Sequence, residues 1–348
     1  MLPSALAAAL ASHDHLVTLE VITRAGFGHA ELTNLVRRGH LVRVRHSVYT
    51  SATRWEQAES TPERELLRAR AASLTMIEPH VLSHDSAAYA LGMSFLAPLV
   101  PMIHVTRHRV LGSRSRTGIK HHAAPYAPEL VVRTPHGPVL DLARTACDIA
   151  REHGPRTGLT ACDSAMRLGA TRPQLEAAAA AMRSWAGVTS VRQAIANADP
   201  GAENPAESLT RLLVTETGFG VPDTQFPVRL GEAVAWCDVR IGRHVVEFDG
   251  RLKYRRRDQG GVATDDPGDV AWAERRRESA IIAAGFGVSR VAWDDLLARN
   301  WERTRARLTA EIATTKDRSG MELEPAMEAF AVRMGSARRA RIFAPRSA

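Results

Sequence analysis

The spacing of apolar residues changes period along the chain, and each change marks an element. Val17, Val21, Ile22 and Ala25 recur at helical spacing, Gly26-Phe27-Gly28 makes a tight turn, and a second helix is predicted from about His29 to Arg38. That helix turns Leu32, Leu35 and Val36 inward and His29, Thr33, Asn34 and Arg37 outward. After Gly39, the run Leu41-Val42-Arg43-Val44-Arg45 alternates as a strand does. The alternation places Arg43 and Arg45 on Leu41's face and Val42 and Val44 on the other. With a first helix from the apolar N-terminus, residues 1–57 read as three helices and a short strand pair.

Residues 58–198 read as a mixed α/β segment. Thr61-Pro62 supplies an N-cap and a first-turn proline, and Ser83-His84-Asp85 opens a helix that Gly92 closes. Met102–Thr106 and Gly118–His122 are β-rich, and helices are predicted at Val139–Arg151, Gly158–Arg167, Pro173–Arg183 and Val188–Ala196. A linker over 198–203 separates this from residues 204–314. There Asn204-Pro205 opens a helix running to Thr217, and β-type runs follow at Thr224–Leu230, Ala235–Ile241 and His244–Phe248. A charged helix from Glu274 to Ala284 and a buried strand from Val288 to Trp293 complete the order helix, three-strand meander, helix, strand. Residues 315–348 show no sustained periodicity and are expected to form a disordered tail.

The meander fixes a register. If Gly242-Arg243 is a two-residue turn, Ile241 pairs with His244, and counting back sets Asp238 opposite Glu247. Asp249 lies two residues further and points the same way, leaving Val239, Val246 and Phe248 for the other face. Three carboxylates at one end of a hairpin repel one another unless a cation neutralises them, and hard oxygen ligands favour Mg²⁺ or Mn²⁺.

Charge changes the picture in a second place. The chain of 348 residues carries a formal charge of +8, which favours a polyanionic partner. From Gly28 to Trp55 there are five arginines and one acid, Glu31. The last sixteen residues hold five arginines and no acid. Cys147, Cys162 and Cys237 have no CxxC spacing, which argues against a cysteine zinc site and for a reducing, cytoplasmic compartment. No stretch of apolar residues is long enough to span a membrane, and no signal peptide is expected.

The N-terminal unit has the grammar of a winged helix-turn-helix. Asn34 and Arg37 are candidates for base edges, and Arg38, Arg43 and Arg45 for phosphates. With its ending Arg45-His46-Ser47-Val48-Tyr49, this unit resembles the N-terminal domain of AbiEi-type antitoxins, and the later Leu82–Ala88 and Ile103–Thr106 runs resemble the second part of such chains. The resemblance covers about the first fifty residues, with Ser47 where the family commonly has glycine. It implies operator binding, self-repression and a nucleotidyltransferase-type toxin as partner.

Residues 204–297 resemble the PD-(D/E)xK superfamily, in the branch related to very-short-patch-repair endonucleases. The matching positions are Glu207, Asp238, Glu247, Glu274 and Arg277. The resemblance assigns Asp238 and Glu247 to the metal. Glu207 either assists there or closes a capping box with Asn204. Asp249 stands where the family's lysine would fall, and Lys253 is the candidate to replace that cation. His104, His108, His121 and His122 lack a local spacing that supports a metal, and Asp141 and Asp148 suit capping or solvated roles better than catalysis. GxSxG, Walker A and GxGxxG motifs are absent.

The expected protein is therefore α+β or α/β and multidomain: a winged helix-turn-helix, a mixed α/β middle domain and a restriction-endonuclease-like αβββαβ core. Its expected chemistry is phosphodiester hydrolysis of DNA by a metal-activated water. The alternative is an antitoxin or transcriptional regulator whose last domain is catalytically silent.

Overall fold

In a computed structural model, which describes residues 2–108, 112–250 and 267–342, the chain is mixed α/β and divides into two units, Met1–Ile195 and Ala196–Ala348. The first unit opens with α1 (Ser4–Ser12), β1 (Val17–Thr18), α2 (Leu19–Arg24), α3 (His29–Arg37), β2 (Leu41–Arg45), β3 (Val48–Ser51) and α4 (Ala52–Gln57). Its strands lie in the order β1-β3-β2. Leu6, Leu10, Val17, Ile22, Leu32 and Leu41 fill the space between sheet and helices. Thr18 Oγ1 accepts from the Val21 N–H to start α2, and Glu31 accepts from the Gly28 N–H to start α3.

Strict alternation fails in β2. Arg43 pairs with Tyr49 but Arg45 pairs with Val48, so Val44 is the extra residue of a bulge. Arg43 is consequently exposed and Arg45 half-buried, although the alternation predicted one shared face for both. In the β2–β3 turn Ser47 adopts φ of 60°, the left-handed conformation that glycine provides most readily.

The unit continues with α5 (Thr61–Ser73), β4 (Val81–Leu82), α6 (His84–Ala90), β5 (Ile103–Arg107), β6 (Arg114–Arg116), β7 (Ile119–Ala123), β8 (Val131–Thr134) and β9 (Gly137–Leu140). The helices α7 (Leu142–His153), α8 (Pro155–Arg167), α9 (Arg172–Ala180) and α10 (Val188–Ala196) follow. Six strands form one sheet in the order β6-β7-β5-β4-β9-β8. Two boundaries move from where the apolar spacing put them. Ser60 rather than Thr61 caps α5 through a capping box with Glu63. Val139 and Leu140 belong to β9, because Asp141 accepts from the Arg144 N–H and starts α7 only at Leu142. Leu16, Val48, Ala58, Leu67 and Ala71, with Val44 and Trp55, form an apolar cluster that joins the N-terminal elements to α5.

The second unit contains α11 (Pro205–Thr215), β10 (Asp223–Leu230), β11 (Ala233–Ile241), β12 (His244–Phe248), α12 (Pro267–Ala283), β13 (Gly287–Val291), α13 (Trp301–Ser319) and α14 (Pro325–Ile342). The sheet order is β10-β11-β12-β13, antiparallel across the first three strands and parallel between β12 and β13. A parallel pair needs a long crossover, and α12 lies within it. Phe226, Val228, Ala235, Cys237, Val245, Ile281 and Phe286 form the core between sheet and α12.

The stretch expected to be a disordered tail is helical over most of its described residues, with a break at 320–324. Residues 315–319 finish α13, and α14 lays Met327 and Ala331 against that core, with Leu323 just before it. Met327, Phe330 and Ala331 are spaced i, i+3, i+4, so the short apolar patch is the docking stripe of a helix. No helix among the described residues is long and apolar enough to cross a membrane.

Candidate functional site

The β11–β12 hairpin turns at Gly242-Arg243, with Gly242 at φ of 56°, and Ile241 pairs with His244. The ladder runs Ile241↔His244, Arg240↔Val245, Val239↔Val246 and ends there, one pair short of Asp238 and Glu247. Instead of lying flat against Glu247, Asp238 uses Oδ2 to accept from the Phe248 N–H at 2.9 Å. Asp238 is loosened on its other side too. Gln225, between the pairs Thr224↔Val239 and Phe226↔Cys237, has φ of 51° and drops out of the ladder. Strained backbone of this kind persists where the surrounding fold over-determines it.

Asp238, Glu247 and Asp249 line one cavity of about 140 Å³ together with Trp236, Phe248, Glu274, Arg277 and Arg290. Two arginines offset the acids. Arg277 on α12 donates to Glu247 Oε2 at 2.8 Å and to the Trp236 carbonyl at 2.6 Å. Arg290 on β13 lies 2.8 Å from Glu278, 3.5 Å from Glu274 and 4.0 Å from Asp249. Glu247 itself is only 8% exposed, and its Oε1 accepts no hydrogen bond although it lies 2.8 Å from Arg277. The Glu247 carboxylate is thus paired by Arg277 at both oxygens, and a hard cation in the cavity would share it with that guanidinium. Burial and the Glu247 charge push the neighbouring Cys237 thiol up to about 12, so it is a packed thiol and not a nucleophile.

Glu207 stands behind this group. Asn204 caps α11 by accepting from the Ala206 and Glu207 N–H groups, and Glu207 in turn accepts from the Glu203 N–H, the Asn204 side-chain amide and the Gln225 amide. Glu207 is therefore a helix-start residue by its contacts, yet burial and then the Asp238 charge raise its carboxyl to about 7. Both options left open by the sequence leave a trace: the capping contacts are made, and the carboxylate still feels Asp238. Lys253 lies outside the described residues. Trp236, Phe248 and Arg290 also line the cavity and were not expected there: alternation along β12 places Phe248 on the face away from the acids, and the only signal for Arg290 was its charge in β13.

In the first unit Arg37 donates to Asn34 Oδ1 at 3.2 Å, which aligns the two side chains proposed for base edges on one face of α3. Arg37, Arg38 and Arg43 are exposed, whereas Arg45 lines a cavity with His46, Arg116 and His121. Burial lowers the affinity of the Arg45 guanidinium for its proton. Asp141 is the cap of α7, and Asp148, far from solvated, is fully buried between Arg144 and Arg151.

The discounted histidines are partly reunited by the fold. His104 on β5 and His122 on β7 meet His84 at the start of α6, and their ligand atoms lie within 4.8 Å of one another. No family model matches the chain. Over 186 residues it is 27% identical to the uncharacterized proteins MT2308 and Rv2248 of two Mycobacterium tuberculosis strains (CDC 1551 / Oshkosh and ATCC 25618 / H37Rv), covering 51% of this chain. The chain spans 62% of the length of those curated relatives. A crystal structure of the RV2827C protein from Mycobacterium tuberculosis aligns over 60% of this chain and 81% of its own, with 18% identity and a TM-score of 0.37.

Proposed function

We propose that this is a cytoplasmic DNA-binding protein whose second unit carries a Mg²⁺- or Mn²⁺-dependent phosphodiesterase centre of the endonuclease type. The observation that carries the reading is the shared cavity of Asp238, Glu247 and Asp249. Those three carboxylates are the residues that would hold the cation. When bound, such a cation supplies Lewis acidity and lowers the pKa of a coordinated water. Arg277 holds the Glu247 carboxylate, donating to Oε2 and lying 2.8 Å from Oε1, while Glu247 lines the cavity. The guanidinium of Arg290 reaches the same cavity, where it suits the non-bridging oxygens of a phosphodiester. In this reading the N-terminal elements are a winged helix, with α3 presenting Asn34 and Arg37 to bases and Arg38, Arg43 and Arg45 to the backbone.

A second reading has an observation of its own. Glu247 is already paired by Arg277, and an acid, Asp249, stands where the family's lysine would fall. That favours an AbiEi-like antitoxin or regulator, acting with a nucleotidyltransferase-type toxin, whose second unit grips nucleic acid without cutting it. One experiment separates the two. The full chain and its Asp238→Ala/Glu247→Ala variant are incubated with supercoiled, mismatched and single-stranded DNA plus Mg²⁺ or Mn²⁺. Cleavage by the wild type alone supports the first reading. Equal inertness on every substrate refutes it, and a salt-sensitive shift that Arg37→Ala and Arg43→Ala weaken then supports the second.

A further inference from the structure

The first unit holds a group of residues that the DNA reading does not use. His84, His104 and His122 come from three separate elements and are 3%, 2% and 7% exposed. Their rings are nearly parallel: His84 and His122 stack at 3.7 Å between centroids, and His104 lies 5.2 Å from each. The β5–β7 pairing brings His104 and His122 to the same end of the sheet, two rungs apart, and His104 Nδ1 lies 2.9 Å from His122 Nε2. Two ligands of one tetrahedral ion at ordinary imidazole distances stand about 3.3 Å apart, so this pair is close to coordination spacing. His84 completes the set at a price in backbone freedom, since it holds φ of 48°, a conformation uncommon for any residue with a side chain.

Two of the three rings, His84 and His104, have a polar neighbour on their outer nitrogen. Ser83 Oγ lies 3.0 Å from His84 Nδ1. The carboxylate of Asp85, fully buried, lies 3.7 Å from His104 Nε2, on the far side of that ring from His122. At that distance Asp85 makes no direct hydrogen bond to the ring and favours a proton on Nε2 through its charge. Asp85 is held in turn by His153 Nε2 at 2.8 Å. The other charges facing the group are already paired: Lys120 with Glu152, and Arg144 and Arg151 with Asp148. Burial is the main cause lowering the basicity of all three rings, so they are neutral and keep their lone pairs.

We propose that His84, His104 and His122 are the ligands of a transition-metal ion, zinc in the first instance, bound inside the first unit. Three imidazoles suit zinc, copper, nickel or iron and not Mg²⁺, so this site is chemically distinct from the carboxylate centre. On binding, the proton between His104 Nδ1 and His122 Nε2 shifts to the outer nitrogen of the ring that carries it, so both rings stay neutral and both inner nitrogens face the ion. The 3.7 Å stack of His84 on His122 is tighter than two ligands of one ion allow, so loading opens that stack while His104 stays on Asp85. The ion joins the start of α6 to β5 and β7, and the fourth coordination position falls to water.

The test uses the full, untagged chain purified without chelator, together with chelator-stripped protein offered Co²⁺. Roughly one zinc per chain by elemental analysis is expected, along with a visible Co²⁺ absorption that Zn²⁺ displaces and excess Mg²⁺ does not. Both signals persist in Asp238→Ala/Glu247→Ala and vanish in folded His104→Gln and His122→Gln proteins. The Co²⁺ spectrum of the wild type decides the matter even if those variants fail to fold. Wild type that carries no zinc and develops no Co²⁺ absorption overturns the proposal, and the three rings are then only a buried hydrogen-bonded stack.

Discussion

The acidic cavity of the second unit and the histidine group of the first both gather titratable side chains into a small volume, by opposite means. In the cavity the groups are charged, offset by Arg277 and Arg290, and in part reached by water, with Asp249 29% and Glu274 28% exposed in their side chains. In the histidine group the rings are neutral and closed off, with one fully buried carboxylate behind them. In the proposed reading the first arrangement keeps hard oxygens near solvent, where a phosphodiester can arrive. The second keeps nitrogen ligands where only a tightly held ion fits. Counter-charge and access, more than the number of ligand-type residues, separate a site for reaction from a site for holding.

The charged side of the comparison breaks first if its arginine is removed. Arg277→Ala leaves Glu247 buried without its counter-ion and is expected to destabilise the second unit by about 2–3 kcal/mol in denaturant unfolding. The figure lies below that for a fully buried pair because the Arg277 side chain is itself 29% exposed. Arg277→Ala/Glu247→Ala should recover part of the loss, and strictly additive effects would show that the pair is not coupled. On the neutral side, Asp85→Asn is expected to weaken zinc about 10–100-fold, because His104 loses the charge that favours a proton on its Nε2. An unchanged zinc affinity in that variant would remove Asp85 from the site.

His244 sharpens the same contrast from within the second unit. It is 2% exposed, and both ring nitrogens meet hydroxyls, Nδ1 the Thr315 Oγ1 and Nε2 the Ser289 Oγ, each at 2.7 Å. The close approach depends on Gly287, where a Cβ would collide with both His244 and Thr315. Burial lowers this imidazole from 6.5 to about 4. The unfolded chain then binds the extra proton between those values, so the His244 contribution is complete above pH 6.5 and is lost as pH falls toward 4. The slope approaches about 1.4 kcal/mol per pH unit in that window. His244→Gln is expected to flatten it, measured as unfolding free energy against pH with zinc absent; an unaltered slope would assign the titration elsewhere.

What the sequence revealed of this molecule divides along the same line. The Gly242-Arg243 turn and its Ile241↔His244 register are local, and they could be counted from the chain. That count also placed Asp238 near Glu247, but it missed the ladder's early end, because the left-handed Gln225 lies on a different strand. The bulge at Val44 escaped for a similar reason: alternation in β2 is a property of the pair, and β3 fixes where the extra residue goes. The helices over 315–342 were hidden because many of their apolar residues are small alanines and form no sustained stripe, and only Leu323, Met327 and Ala331 of this stretch pack on the core cluster. The histidine group has no signature in local spacing: His104 and His122 show none, and His84, twenty residues before His104, joins them only through the fold.

Asp238, Glu247 and Asp249 are proposed to form a hard-cation site of their own. The most direct measurement is a Mn²⁺ titration of the full chain, with free ion followed by electron paramagnetic resonance. The expected result is a Mn²⁺ site present in wild type and in His104→Gln, competed by Mg²⁺, and absent from Asp238→Ala/Glu247→Ala. Identical Mn²⁺ binding by wild type and the double variant would contradict the account and leave the acids as partners of Arg277 and Arg290 alone.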